Sequence, residues 1–207
     1  MRQFTSRWLR ASIVFSLLVL PALAAVPIVI ETEFGVIEAV LDDQKAPVTV
    51  ANFLKYVDAG HYSGGRFFRT VRNSPDNQPG TKVKIEVVQA GVNPDMEKKE
   101  FAPFKLERTK DTGLKHVDGA LSMPRTTPDS ATSGFSIVIG DQPNMDFGAL
   151  RNPDGQGFAV FGRVTSGMDI ARQIHRSPSG PNDTKAAVAV GNQKLTPPIK
   201  ILSVRRK

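Results

Sequence analysis

The sequence predicts a mainly β protein, about eight short strands closed into an antiparallel barrel with two α-helices over its ends. Three observations predict it. Short runs rich in β-branched residues recur between turns rich in Gly, Pro and Asp. An amphipathic segment lies near each end of the chain, and no repeat or domain-scale linker divides it. Cysteine is absent from the 207 residues, so the fold must hold without disulfides, and closing a barrel removes the exposed strand edges.

The elements follow in order. Val26–Thr32 and Val36–Leu41 are β-branched runs around Glu33-Phe34-Gly35, a hairpin. Pro47 opens a helix whose Val50, Phe53, Leu54 and Val57 share one face, and Gly60 closes it. Gly64-Gly65 turns the chain into a strand at Arg66–Val71. Asn73–Thr81 is a polar loop with two prolines, followed by a strand at Lys84–Gln89. Asn93–Thr112 reads as loop with one helical turn, and Ala120–Met123 and Phe135–Ile139 as strands. After the long loop Gln142–Gly157 comes a strand at Phe158–Val164. Ser166-Gly-Met-Asp169 has the spacing of a capping box and opens a second helix, with Ile170 and Ile174 toward the core. Ser177–Asp183 is a loop, and Ile199–Val204 a last alternating strand.

The first 24 residues set the compartment and the charge. Arg2, Arg7 and Arg10 precede the apolar run Ala11–Leu20, and Ala22-Leu23-Ala24 supplies small residues for cleavage. This is the pattern of a secretory signal peptide, and the run is too short to span a ~30 Å hydrocarbon core. Cleavage after Ala24 leaves residues 25–207 as one domain, in a periplasmic location with no membrane anchor. It removes three of 27 basic residues and none of the 20 acidic ones, so the net charge falls from +7 to +4. It also removes Trp8, the single tryptophan. A nucleic-acid partner is therefore not expected, and Arg205-Arg206-Lys207 reads as a solvated tail.

Familiar catalytic motifs are missing. His61, His116 and His175 are too widely spaced for a metal-ligand motif, and no G-x-S-x-G elbow or Walker loop occurs. Neither a metal nor a cofactor is expected. What remains is a set of strand segments: Phe67-Phe68-Arg69, Glu86-Val87-Val88-Gln89-Ala90-Gly91, Gly119-Ala-Leu-Ser-Met123, Ser133-Gly-Phe-Ser-Ile137 and Gly157-Phe-Ala-Val-Phe-Gly-Arg-Val164. In this order they resemble the cyclophilin family of peptidyl-prolyl cis–trans isomerases. Val48–Tyr62 and Val160–Asp169 resemble the segments at that family's two helices, and the resemblance runs from about Ile28 to Val204. The loop NSPDNQP and the phrase Arg151–Phe158 resemble a divergent group of bacterial exported members.

The resemblance implies an eight-stranded barrel with the substrate groove on its outer wall, and an activity that needs no cofactor. Rotating a prolyl amide crosses a barrier of ~20 kcal/mol. In the twisted state the proline nitrogen gains a lone pair, and a guanidinium can donate to it, as it cannot to the planar amide. Arg69 falls at the family's catalytic arginine, and Gln89 at the groove glutamine. Val87, Ser136, Met145 and Phe158 fall where the family builds its proline pocket, and Pro124 and Arg125 on the strand edge along which the peptide lies. Phe67, Phe68 and Phe135 read as barrel core.

Some positions depart from the family pattern. Ser136 stands where a pocket phenylalanine is usual, Glu86 where an aromatic is usual, Val87 where methionine is usual, and Gly134 lacks a side-chain amide. A fully buried Phe is worth about 1.5–3 kcal/mol of apolar contact, so these departures imply weak or shifted activity. The expected partners are proline-containing unfolded or nascent exported polypeptides, met by a monomer. A second reading keeps the same barrel as a peptide- or protein-binding module with little turnover.

Overall fold

Eight strands close on themselves. The computed structural model describes residues 25–181 and 192–207; the expected leader at 1–24, with Trp8, and the end of the expected loop Ser177–Asp183 lie outside them. The strands are β1 (Val26–Thr32), β2 (Gly35–Leu41), β3 (Arg66–Val71), β4 (Val87–Gly91), β5 (Ala120–Met123), β6 (Phe135–Val138), β7 (Ala159–Ser166), the two-residue β8 (Ser179–Gly180) and β9 (Lys194–Arg206). All pairings are antiparallel, in the order β1-β2-β7-β5-β6-β4-β3-β9, and β1 pairs with β9 to complete the ring. β8 is a short addition to β9 outside the ring. The helices are α1 (Pro47–Asp58), the single turn α2 (Thr109–Thr112) and α3 (Met168–Arg176). Among the described residues, no helix is long and apolar enough to cross a membrane.

Strand alternation decides which side chains fill the barrel. Phe67, Val88, Ala90, Leu121, Met123, Phe135, Ile137 and Phe161 point inward and join one core with Ile28, Ile30, Leu41 and Ile201. Phe53 of α1 enters the same core, with ring centroids 5.2 Å from Tyr62, 5.5 Å from Phe135 and 5.1 Å from Phe161. The start of α1 has no cap from its own N-cap residue, Ala46. Glu107, from a distant loop, accepts from Val48 N–H (3.1 Å), Thr49 N–H (2.8 Å) and Thr49 Oγ1 (2.6 Å), satisfying the free donors of the first turn.

Two local expectations are corrected. The strand after the polar loop starts at Val87 rather than Lys84. Gln78 donates from Nε2 to Ile85 O (2.9 Å) and accepts from Ile85 N–H at Oε1 (3.3 Å), so a side chain takes the hydrogen bonds that a neighbouring strand would otherwise make. The capping box before α3 does not form: Ser166 stays in β7, paired with Glu38, and the N-cap is Gly167. Gly167 has φ +84°, and a Cβ there would lie 2.3 Å from Val36 O, so close approach to β2 demands glycine. Ile174 is fully buried as expected, while Ile170 is partly buried against the core.

Candidate active site

The outer wall of the barrel carries a second, smaller apolar cluster, Val71, Ile85, Val87, Ala120, Val138, Met145 and Val160, with Phe158 against it. Two adjoining cavities open over this wall. One, of about 320 Å³, is lined by Arg69, Val87, Gln89, Ser136, Met145 and Phe158, among others. The other, of about 510 Å³, shares Arg69, Gln89, Pro124 and Arg125 with it and adds Phe68, Glu97 and Glu100. All eight residues singled out from the sequence therefore meet in one groove.

A bulge puts Arg69 there. Phe67 points into the core, and strict alternation would turn Arg69 inward as well. The register of β3 slips between Phe67 and Arg69 against both β4 and β9, so Phe68 and Arg69 both line the groove. Phe68 is thus a groove residue, contrary to the expectation that it fills the core. Across the wall the register aligns Arg69 with Gln89, Gln89 with Ser136, and Ser136 with Ser122. This is a polar lane across four strands.

The guanidinium is fixed by two amides. Arg69 Nη1 donates to Gln89 Oε1 (3.0 Å), and its Nε donates to Gln193 Oε1 (2.8 Å). Gln193 is itself fixed, donating from Nε2 to Asn77 O (2.6 Å) in the polar loop. Asn77 donates to Thr70 O and Asn192 O and accepts from Arg72 N–H. The loop's amides, Asn77 and Gln78, are buried; Asn77 braces Gln193 behind the arginine, Gln78 holds Ile85 and Arg151, and Thr81 lines the cavity. Burial, and then the charge of Arg151, lower the Arg69 pKa to about 10, so the group stays charged through the neutral range. Replacing Gln193 by Ala should lower kcat about five- to tenfold with little change in KM, since it loosens one charge-assisted bond without touching the groove surface. Proline-exchange kinetics over a peptide concentration series would check it; a change confined to KM would contradict it.

The apolar wall is also anchored by polar contacts. Met145 ends a 3-10 turn at Pro143–Met145, and its carbonyl accepts from Phe158 N–H (3.0 Å). Gly157, just before, has φ +65°, and a Cβ would sit 2.6 Å from Asp146 C, so only glycine lets the two segments approach this closely. His116 bridges that turn to β5, with Nδ1 2.7 Å from Asp146 Oδ1 and Nε2 2.9 Å from Ser122 Oγ. Arg125 lines the groove, but its guanidinium is held by both Asp154 oxygens (2.7 and 2.9 Å) and Gly157 O (2.7 Å). Its contribution to the groove is therefore the wall it forms. Ser136 Oγ has no hydrogen-bond partner among the described residues and lines the smaller cavity.

Glu86 does not line either cavity. Its carboxylate accepts from Asn73 N–H at 3.4 Å and lies 4.0 Å from His175, while Ile85 faces the cavity. Ile85, Thr81, Arg151, Ser122, Gln193, Glu97 and Glu100 were not singled out from the sequence. Arg151 stood within a quoted phrase, but Gln193 lies 124 residues from Arg69, and no spacing rule links them. Among the described residues, no group of three or more His, Asp or Glu is arranged to hold a metal.

His116 and His175 have pKa values lowered chiefly by burial. The folded protein thus protonates them at lower pH than the unfolded chain, which takes up protons below about 6.5. The stability tied to this difference is present above about 6.5 and lost as pH falls through the folded values. Urea midpoints should therefore fall from pH 7.5 to pH 5.5, and a midpoint that holds or rises would contradict this.

Comparison with known proteins bears on the fold and the family. The family described as "Cyclophilin type peptidyl-prolyl cis-trans isomerase/CLD" matches residues 27–206. Peptidyl-prolyl cis-trans isomerase A of Dickeya dadantii is 39% identical over 158 residues, 74% of this chain and 75% of that protein. The Streptomyces antibioticus isomerase cyp18 is 37% identical over 147 residues, 70% of this chain and 80% of its own. A peptidyl-prolyl cis-trans isomerase of Acinetobacter baylyi is 34% identical over 189 residues, 90% of this chain and 88% of its own. A crystal structure of a Cryptosporidium parvum cyclophilin type isomerase superposes with a TM-score of 0.66 at 19% identity, covering 89% of this chain and 98% of that one. On the family match and these relatives, the chain belongs to the family of cyclophilin-type peptidyl-prolyl cis–trans isomerases.

Proposed function

We propose that this protein accelerates Xaa-Pro isomerisation in exported polypeptides, with Arg69 donating to the prolyl nitrogen as its amide twists. The observation that carries the reading is the guanidinium held between Gln89 and Gln193 where the two cavities meet. Held there, it needs no reorganisation to meet the lone pair that appears only in the twisted state. The proline ring sits against Val87, Met145 and Phe158 in the smaller cavity, with Ser136 at its floor, and the preceding chain runs past Pro124 and Arg125. Gln89 also offers its amide N–H to the substrate backbone. The test is an exchange measurement between cis and trans proline signals, with and without the protein; absence of acceleration on any Xaa-Pro peptide removes the reading.

Export rests on the leader pattern of residues 1–24. Mass analysis of the protein from a periplasmic fraction tests it, with a chain starting at Ala25 as the expected result. The second reading, a binding module with little turnover, draws on Ser136, which leaves the pocket floor without an aromatic ring. Binding of unfolded chains that persists in Arg69→Ala would favour it.

A further inference from the structure

The smaller cavity carries a charge that the isomerase reading does not use. Arg69 and Arg151 both line it, and no Asp or Glu does. Arg151 Nη1 donates to Gln78 Oε1 (3.0 Å) and Val83 O (2.8 Å), while its Nε and Nη2 have no partner among the described residues. Every acceptor of the two guanidiniums is neutral. Arg125, on the same wall, is by contrast neutralised by Asp154 at 2.7 Å. Among the described residues, no ion pair includes Arg69 or Arg151.

Two like charges facing one partly desolvated space repel, and an entering anion relieves that repulsion while gaining charge-assisted hydrogen bonds. The adjoining cavity differs, since it adds Glu97 and Glu100 to the Arg69 and Arg125 that it shares. The carboxylates of the groove thus lie on one side of Arg69, and a negative side chain is favoured at the Arg151 end over the other.

We propose that the cavity between Arg69 and Arg151 is an anion-selective subsite, and that preferred substrates carry Asp or Glu next to the proline with the carboxylate on Arg151. This rests on the isomerase reading and specifies its substrate class. Arg151 acts there as a specificity-determining residue, leaving Arg69 for the prolyl nitrogen.

Matched peptides with Glu, Gln or Lys on either side of one proline test it, by exchange rates and by shift titrations for affinity. In at least one of the two positions Glu should exceed Lys about tenfold in kcat/KM, with Gln between. Arg151→Gln should bring that ratio below about threefold, and Arg151→Lys should keep most of it. In the unaltered protein, the Arg151 Nε–H resonance should move with the Glu peptide and stay in place with the Gln peptide, a readout that needs no variant to fold. The proposal is overturned if Glu gives no advantage over Gln in either position, or if the preference survives Arg151→Gln. If no peptide is isomerised, the isomerase reading fails, and the affinity order still decides the subsite.

Discussion

Replacing Arg69 by Ala should lower kcat/KM for a proline peptide by roughly 10- to 150-fold, the range for one charge-assisted hydrogen bond of about 1.5–3 kcal/mol. The loss should fall mainly on kcat, because the bond forms with a lone pair that the ground-state amide does not offer. The fold should survive, since the side chain lies on the outer wall rather than in the barrel core, and Gln89, one of the two amides it leaves, lines the groove. Arg69→Lys should recover little, because an ammonium cannot be held by two amides and still present a planar donor. A variant that keeps more than half the activity, with an unchanged urea midpoint, would remove Arg69 from the mechanism.

Phe53→Ala should cost about 3–5 kcal/mol of stability, a large share of the ~5–15 kcal/mol that holds a domain of this kind together. The ring is fully buried and touches Tyr62, Phe135 and Phe161, so it joins α1 to the inner face of β6 and β7. Its neighbours are large and rigid and close poorly over the vacated space. Urea unfolding followed by circular dichroism would measure the loss; a value under about 1 kcal/mol would mean that the core repacks freely.

The fold was legible where short apolar or β-branched runs lie between turn residues. Arg66–Val71 and Ala120–Met123 are strands with the bounds read from the residues. It was less legible where a side chain did the work of a strand, as Gln78 does for Ile85, or where a glycine replaced a cap, as Gly167 does before α3. The site divides in the same way. Arg69, Gln89, Val87 and Ser136 lie on adjacent strands and their motifs carry their order. Gln193, Arg151 and Glu100 come from loops and Glu97 from a 3-10 turn at Pro94–Lys99, and only closure of the barrel brings them to Arg69 and its groove. The slip at Phe68 was also hidden, because a bulge is a property of two partner strands at once and leaves no mark on one of them.

The ring closes between β1 and β9, with Ile30 opposite Val204. A chain made from its N-terminus can form the β1–β2 hairpin early, but β1 waits for its other neighbour until the final strand has emerged. Until then both β1 and β3 present open edges, and long-range pairing of this kind is slow. The protein thus has a built-in delay: it reaches its working shape only after nearly all of it is available. An isomerase with this topology is a late folder, and during that interval its own open edges are exposed to mispairing.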